Sequence, residues 1–183
     1  GADLSNLKDK VVGVIGTGAS AVQIIPRVGK AAKALHVFQR TPSAIDIRDD
    51  IPTDPDWALS LKPGWQVERL KRHVLNTKTD PEKRREIEKL PREERIKRYE
   101  NQNIEHQMRI HSRVDSIVED KATAEALKPW YMHRCKRPCY DDEYLPAFNR
   151  PNVHLVDTKG QGVTEINKRG VVFEGKEYPV DVL

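Results

Sequence analysis

The sequence predicts an α/β fold in which parallel strands alternate with a helix. A long helical insertion interrupts this pattern, and the chain ends in a C-terminal β-meander. Three observations predict it. A β-branched segment at residues 10–15 leads into glycines and then into apolar residues at helical spacing. An apolar segment at residues 35–38 completes a strand-helix-strand unit of about 30 residues, the size of one βαβ crossover. A third strand at residues 152–157 follows only after ~110 further residues, far more than one crossover needs.

The first unit follows from local patterns. Residues 10–15 are apolar on both faces, as in a buried parallel strand. Apolar residues then recur at spacings of three and four from Ala19 to about Ala34, which predicts a helix, and Pro26 is expected to kink it. The strand at residues 35–38 ends just before Arg40.

The rest of the chain divides into a helical and a β-rich part. Glu, Lys, Arg and Gln dominate residues 56–133 between proline breaks, which predicts several helices in an insertion at about residues 54–134. Interleaved charges at residues 81–98 indicate a solvated helical face. The tail predicts three strands joined by turns at residues 167–170 and 174–176. These strands are expected at residues 163–166, 171–173 and 180–183.

Composition limits the class of protein. The 183 residues fit one domain spanning 1–183, and the 33% charged residues exceed the usual ~25%, as expected for exposed helices. A net charge of +4 is too small to indicate a nucleic-acid partner. No apolar run reaches the ~18–20 residues of a membrane span, so we expect no membrane partner. Two cysteines and no signal pattern favour a cytoplasmic protein.

A glycine turn carries the most specific signal. Residues 16–21 fit G-x-G-x-x-A and lie between the first strand and the first helix. Gly16 permits a tight turn, Gly18 lets the backbone approach a pyrophosphate, and Ala21 lets helix and strand pack closely, while N–H groups at the helix start face the anion. The pattern predicts a Rossmann-like dinucleotide-binding domain; the alternative is a turn that only connects strand to helix. The predicted dinucleotide contacts here are Gly16, Thr17, Gly18, Ala19, Ser20, Ala21, Val22 and Gln23.

The residue after the second strand distinguishes NAD from NADP. A carboxylate there accepts from the ribose 2′-hydroxyl but repels a 2′-phosphate. Arg40 occupies this position, and no acidic residue follows until Asp46. A guanidinium binds phosphate through charge-assisted hydrogen bonds worth ~1.5–3 kcal/mol. We therefore predict NADP(H) as the preferred dinucleotide; the alternative for Arg40 is an ordinary surface arginine.

Two separated segments resemble one family. V-G-V-I-G-T-G-A-S-A-V-Q at residues 12–23 and F-Q-R-T-P at 38–42 resemble the NADP-binding segment of Baeyer-Villiger monooxygenases. C-K-R-P at residues 135–138 is similar to the segment that carries the family's active-site arginine, and the similarity continues through Y-L at 144–145, F-N-R-P-N-V at 148–153 and L-V-D at 155–157. The resemblance implies an FAD-dependent oxidoreductase that uses NADPH and O2 to convert ketones to esters or lactones.

The resemblance also implies roles for individual residues. Lys136 is expected to reach the 2′-phosphate, beside Arg40 and Thr41. Arg137 is expected to be catalytic, facing the flavin and stabilising the negative charge that develops there. Adjacent cations suit two separate anions, and a permanently charged arginine favours negative charge in a dry site. Without the resemblance, the pair is an ordinary basic surface patch.

A flavin-binding part is expected to lie outside this chain. The chain has one glycine fingerprint, and Pro179 stands where the family signature F-x-G-x-x-x-H, begun at residues 173–175, requires histidine. We expect the FAD-binding domain to be absent on both sides and to be the partner of this fragment, with a small ketone as substrate of the whole enzyme. The fragment itself is expected to bind NADP(H), not FAD, and not to turn over alone.

Other assignments remain open. An N-hydroxylating or dimethylaniline-type flavin monooxygenase is the nearest rival, and Lys136-Arg137-Pro138 favours the Baeyer-Villiger type over it. A non-catalytic helical interaction module on the same fold would have no nucleotide affinity.

Two further residue groups are given no chemical role. No metal site is expected, since Cys135 and Cys139 lack a second pair and cations lie between them. The tryptophans at positions 57, 65 and 130 are expected to be packing residues rather than platforms for stacking bases.

Overall fold

A computed structural model describes residues 3–77, 81–133 and 135–183. It confirms a mixed α/β fold with a parallel sheet and helices. Two compact units can be distinguished: the residues up to Asp49 together with Glu105–Leu183, and Asp50–Ile104. The interpretation of residues 1–183 as a single domain stays a prediction.

The parallel sheet lies in the first unit. Its strands are β1 (Val11–Ile15), β2 (Ala34–Gln39) and β5 (Val153–Asp157), in the order β1-β2-β5, and α1 (Ala19–Ala31) connects the first two. All three strands are where the sequence predicts them to within about two residues. α1 ends earlier than predicted, because Ala32 already has an extended backbone, and it continues through Pro26.

The register of this sheet brings three loops to one edge. Ile15 pairs with Phe38, and Phe38 pairs with Val156 on the next strand. The residues that follow the strands, beginning at Gly16, Arg40 and Thr158, therefore emerge side by side at the carboxyl ends of the strands. In open α/β sheets this is the edge at which ligands bind.

Each face of the sheet has its own core. Val22 and Ile25 of α1 pack with Leu35 and Val37 of β2 on one face. Phe38, the next residue along β2, points to the opposite face, where it clusters with Phe173. This alternation is the period-two pattern of a strand that is buried on both sides.

The tail forms a three-stranded antiparallel sheet of β6 (Glu165–Asn167), β7 (Gly170–Phe173) and β8 (Lys176–Pro179). The prediction of a strand at residues 180–183 was wrong. The turn between β7 and β8 is so tight that Phe173 already pairs with Lys176, so β8 is complete at Pro179. The chain then reaches the free edge of β1, where Val182 forms an isolated parallel bridge with Val12.

The helical segment contains α2 (Pro55–Ser60), α3 (Trp65–Thr77), α4 (Pro81–Lys89), α5 (Arg92–Ile117) and α6 (Lys121–Leu127), in agreement with the predicted helices. Aspartates cap two of them: the Asp54 carboxylate accepts from the N–H of Asp56, and the Asp120 carboxylate accepts from that of Thr123. No helix in the described part of the chain is long and apolar enough to cross a membrane.

Four short elements were not predicted from the sequence. Ser5–Leu7 forms a 3-10 helix and Tyr144–Ala147 forms α7. β3 (Ile45–Asp46) and β4 (Cys139–Tyr140) form a two-stranded parallel sheet. Strands of two residues are too short to produce a readable periodicity.

Candidate functional site

A cavity of about 630 Å³ opens at the carboxyl ends of the parallel strands. It lies within the first unit and is lined by residues from four separate segments of the chain. Most of the predicted site residues meet here: Gly16, Thr17, Gly18, Ala19, Arg40, Thr41, Lys136 and Arg137. Residues that the sequence analysis did not assign to a site complete the wall: Ile15, Phe38, Ser43, Cys139, Thr158, Gln161, Gly162 and Val163.

The glycine turn forms one wall. Gly16 has φ of +105°, a conformation that favours glycine, and its N–H donates to the Phe38 carbonyl at 2.8 Å. Gly18 is the N-cap of α1 and has no side chain to satisfy the first N–H groups of the helix. Apart from the glycines and their neighbours in the chain, no described atom lies within 4 Å of where a Cβ would stand at either position, so the backbone here borders open space.

The remaining fingerprint residues lie farther from the cavity. Ala21 and Val22 are buried in the core under the sheet, and the N–H of Val22 already donates to the Gly18 carbonyl. Ser20 and Gln23 are exposed. None of these four side chains lines the cavity.

The segment after β2 is held against the glycine turn by two hydroxyls. The Thr17 hydroxyl donates to the Thr41 carbonyl at 2.8 Å, and the Ser43 hydroxyl donates to the Thr17 carbonyl. These bonds fix Arg40 beside the turn while leaving its side chain exposed. Within the described part of the chain, no carboxylate forms an ion pair with Arg40.

The β3–β4 pair brings Lys136 and Arg137 to the same place. The N–H of Cys139 donates to the Ala44 carbonyl at 2.9 Å, and Ile45 pairs with Cys139. Since Ala44 follows Arg40 closely and Cys139 follows Arg137, two segments almost 100 residues apart in sequence are joined beside the cavity.

Tyr131 supports this arrangement, and sequence analysis did not detect its role. Its hydroxyl donates to the Pro42 carbonyl at 3.0 Å and accepts from the N–H of Ala44 at 3.1 Å. The Lys136 ammonium lies 5.2 Å from the centre of the Tyr131 ring, within cation-π range. A tyrosine five residues before a lysine has no local signature, so only the fold reveals the contact.

Two positive groups approach each other in the cavity. Burial and the charge of Arg40 together lower the pKa of Lys136 below its usual value. The effect of the Arg40 charge means that Lys136 and Arg40 repel each other. No described carboxylate pairs with Lys136 or Arg137. A bound anion would relieve this repulsion.

The loop after β5 supplies the other wall. Thr158 is fully buried, and its hydroxyl donates to the Gln39 carbonyl and accepts from the N–H of Gly162, at 2.8 and 2.9 Å. Gln161 and Gly162 thereby face the glycine turn across the cavity. The rule that ligands bind beyond the carboxyl ends of parallel strands was the signal that could have identified this loop.

The cysteines and tryptophans differ in their surroundings. Cys139 is buried, and desolvation together with the charge of Asp141 raises the pKa of its thiol, whereas Cys135 is exposed. In the described part of the chain, no cluster of three or more metal-ligating side chains occurs. The prediction that the tryptophans are packing residues was wrong for Trp130 and Trp57, which are 72% and 48% exposed.

Comparison with known proteins gives close sequence relatives. No family model matches the chain. A Baeyer-Villiger monooxygenase from Stachybotrys chlorohalonatus is 43% identical over 201 residues, covering 99% of this chain and 32% of the relative. Pentalenolactone D synthase from Streptomyces arenae is 45% identical over 202 residues, covering 98% of this chain and 34% of the relative.

Solved structures show the same relationship. A polycyclic ketone monooxygenase from Thermothelomyces thermophila superimposes with a TM-score of 0.78 at 38% identity, over 97% of this chain and 32% of that structure. The complex of OTEMO with FAD and NADP superimposes with a TM-score of 0.75 at 28% identity, over 96% of this chain and 37% of that structure. The chain spans about a third of the length of the curated relatives it matches. It is therefore related, over nearly its whole length, to a segment of the Baeyer-Villiger monooxygenases.

Proposed function

We propose that this chain is a Rossmann-like domain that binds NADP(H) in the cavity at the strand ends, as part of an FAD-dependent Baeyer-Villiger monooxygenase. One observation carries the proposal. The glycine turn, Arg40 and Lys136 line a single cavity, and no described carboxylate forms an ion pair with either cation. Such a site suits a ligand with several phosphates.

The glycine turn fits a pyrophosphate. The N–H groups in the first turn of α1 have no partner within the helix, and the positive end of the helix dipole favours an anion. The first turn contains no acidic residue that would compete. Gly16 and Gly18 leave the adjoining space open, so the backbone N–H groups are accessible to phosphate oxygens.

Arg40 and Lys136 fit the 2′-phosphate. A phosphate monoester carries close to two negative charges at neutral pH, enough to balance both cations. Arg40 can bind two of its oxygens through the guanidinium, and Lys136 contributes a point charge. NADH has no group that would balance these charges, so the cavity favours NADP(H).

Arg137 is the proposed catalytic residue, on the wall of the same cavity as Lys136. Bound in the whole enzyme, NADPH would supply a hydride to an FAD held by another part of the protein. The guanidinium of Arg137 carries a positive charge on the cavity wall and would stabilise negative charge that develops beside it. Ketone oxidation to an ester or lactone is the activity proposed for the whole protein.

Calorimetric titration with NADPH and NADH tests nucleotide selectivity. We expect Arg40→Ala to weaken NADPH binding about 10- to 150-fold and to leave NADH binding unchanged, since the lost charge-assisted bonds are worth ~1.5–3 kcal/mol. Arg95→Ala, at an exposed position of α5 outside the cavity, is the matched control and should alter neither affinity. Equal binding of both nucleotides by the unaltered chain would refute the assignment of Arg40.

Testing the role of Arg137 requires the flavin-containing protein. Arg137→Ala should still allow flavin reduction by NADPH, measured by loss of flavin absorbance, but should give little ester. Arg137→Lys keeps a charge but not the guanidinium geometry, and we expect partial recovery. Undiminished ester formation by the alanine variant would contradict the catalytic role.

A further inference from the structure

A second cavity of about 330 Å³ lies on the other side of Arg40. Arg40 lines both cavities, whereas the glycine turn lines only the first. Pro42, Trp130 and Lys159 are among the other residues of the second cavity. Arg40 therefore marks the boundary between a space next to the glycine turn and a space that contains an exposed indole.

Trp130 is held in position although its side chain is mostly in solvent. The carbonyl of Pro129, the preceding residue, lies 2.8 Å from His111 Nε2. The following residue, Tyr131, is bonded through its hydroxyl to the Pro42 carbonyl and through its own carbonyl to the Gln107 amide. The backbone on both sides of Trp130 is thus anchored to the core, and yet the indole is 72% exposed.

Packing against the described residues does not explain why a tryptophan occupies position 130. A tryptophan side chain offers 150–250 Å² for burial and is usually at least partly covered. The indole of Trp130 meets the Tyr131 ring only edge-on, with ring centres 6.0 Å apart. An exposed aromatic ring on an anchored backbone beside a cavity suits a flat aromatic ligand, because stacking then requires little ordering of the backbone.

We propose that Trp130 is a nucleotide-binding residue that stacks on the adenine base of the bound dinucleotide, in the second cavity. The inference rests on the proposed function. The 2′-phosphate belongs to the ribose that carries adenine, so with this phosphate on Arg40 the base must lie next to Arg40. The pyrophosphate extends from the same ribose toward the glycine turn, which leaves the second cavity for the base. Arg40 adds a cation-π contact to the adenine.

The test uses 2′,5′-ADP, which carries the adenine and the 2′-phosphate but no nicotinamide, together with NADPH. Base stacking on an aromatic side chain is worth about 5- to 150-fold in affinity. Trp130→Ala should weaken both ligands by the same factor within this range, whereas Trp130→Phe should retain most of the affinity. Trp57→Ala removes another exposed tryptophan, outside the cavity, and should change nothing. The melting temperature of the Trp130→Ala chain should stay unchanged because the indole buries little surface.

Tryptophan fluorescence provides a readout that a structural role would not move. We expect 2′,5′-ADP to quench part of the emission of the unaltered chain, and this quenching should disappear in Trp130→Phe although the ligand still binds. Unchanged affinity in Trp130→Ala, or quenching that persists without Trp130, would overturn the inference. If the unaltered chain binds both ligands and only Arg40→Ala weakens them, the proposed function stands and the role of Trp130 fails. If the unaltered chain binds neither ligand, both fail.

Discussion

Replacing Thr158 with valine isolates the contribution of one buried hydroxyl to the loop that forms a wall of the cavity. Valine has nearly the shape of threonine but neither donates nor accepts a hydrogen bond. Thr158 is fully buried, and its hydroxyl bridges the Gln39 carbonyl at the end of β2 and the N–H of Gly162. The Gln39 carbonyl keeps a second donor in the variant, the backbone N–H of residue 158 at 2.8 Å.

The expected loss of stability follows from these partners. The Gly162 N–H is only partly buried, so losing its acceptor costs about 1–2 kcal/mol, and the bond to Gln39 adds about 0.5–1 kcal/mol. The free energy of unfolding should therefore fall by about 1.5–3 kcal/mol. For a chain of this length, each kcal/mol corresponds to ~2–4 °C in melting temperature, so Thr158→Val should melt about 3–12 °C lower.

Thr158→Ser is the matched control because it keeps the hydroxyl and loses only a methyl group, worth about 1 kcal/mol. In denaturant unfolding, the free energy of both variants should depend on denaturant concentration with the same slope as in the unaltered chain. The valine variant should have the lower midpoint concentration of the two. Since Gln161 and Gly162 line the cavity, NADPH affinity should also fall in the valine variant. If the serine variant is the less stable one, packing rather than hydrogen bonding holds the loop, and the reasoning is refuted.

Three further predictions concern the turns, an ion pair and the nucleotide site. Gly170→Ala should cost about 3 kcal/mol or more in denaturant unfolding, because φ is +153° and a Cβ would lie 2.1 Å from the Tyr178 carbonyl oxygen. Gly175→Ala, with φ of +74° and open space around it, should cost only about 1 kcal/mol, and equal losses would contradict the steric argument. Desolvation disfavours ionised Asp46, yet the Arg109 guanidinium holds the pKa of this carboxyl below its usual 3.8. The ionised pair therefore stabilises the fold above pH 3.8, and the contribution is lost as pH falls through the lowered pKa. Asp46→Asn should unfold about 1 kcal/mol more easily at pH 7 and converge with the unaltered chain in acid; a difference that persists at pH 2 would exclude the charge as its cause. Gly18 has φ of −75°, and no described residue beyond its chain neighbours lies near a new Cβ, so Gly18→Ala should leave the melting temperature nearly unchanged. The variant should nevertheless bind NADPH about tenfold or more weakly in calorimetry, because the methyl group occupies space needed by the pyrophosphate. Unchanged affinity would mean that the phosphates do not approach this turn.

Local patterns were sufficient for part of the candidate site. The glycine turn and Arg40 lie directly after predicted strands, and parallel strands bring their carboxyl ends to one edge, so their proximity followed from the pattern alone. Lys136 and Arg137 are different. They follow a long helical segment, and only the resemblance to a family related their positions to the glycine turn.

The sequence by itself determined the elements whose signal is contained in neighbouring residues. These are the buried strands, the helix after the glycine turn, and the run of helices between prolines, because periodicity, turn residues and helix breakers act over a few positions. Contacts between distant residues depended on the tertiary structure. The two-residue β3–β4 pair carries Lys136 and Arg137 to the cavity, Tyr131 supports Lys136, and Val182 leaves the tail sheet to join β1. Pairings this short have no periodicity of their own, and they form because the surrounding fold has already brought the partners together.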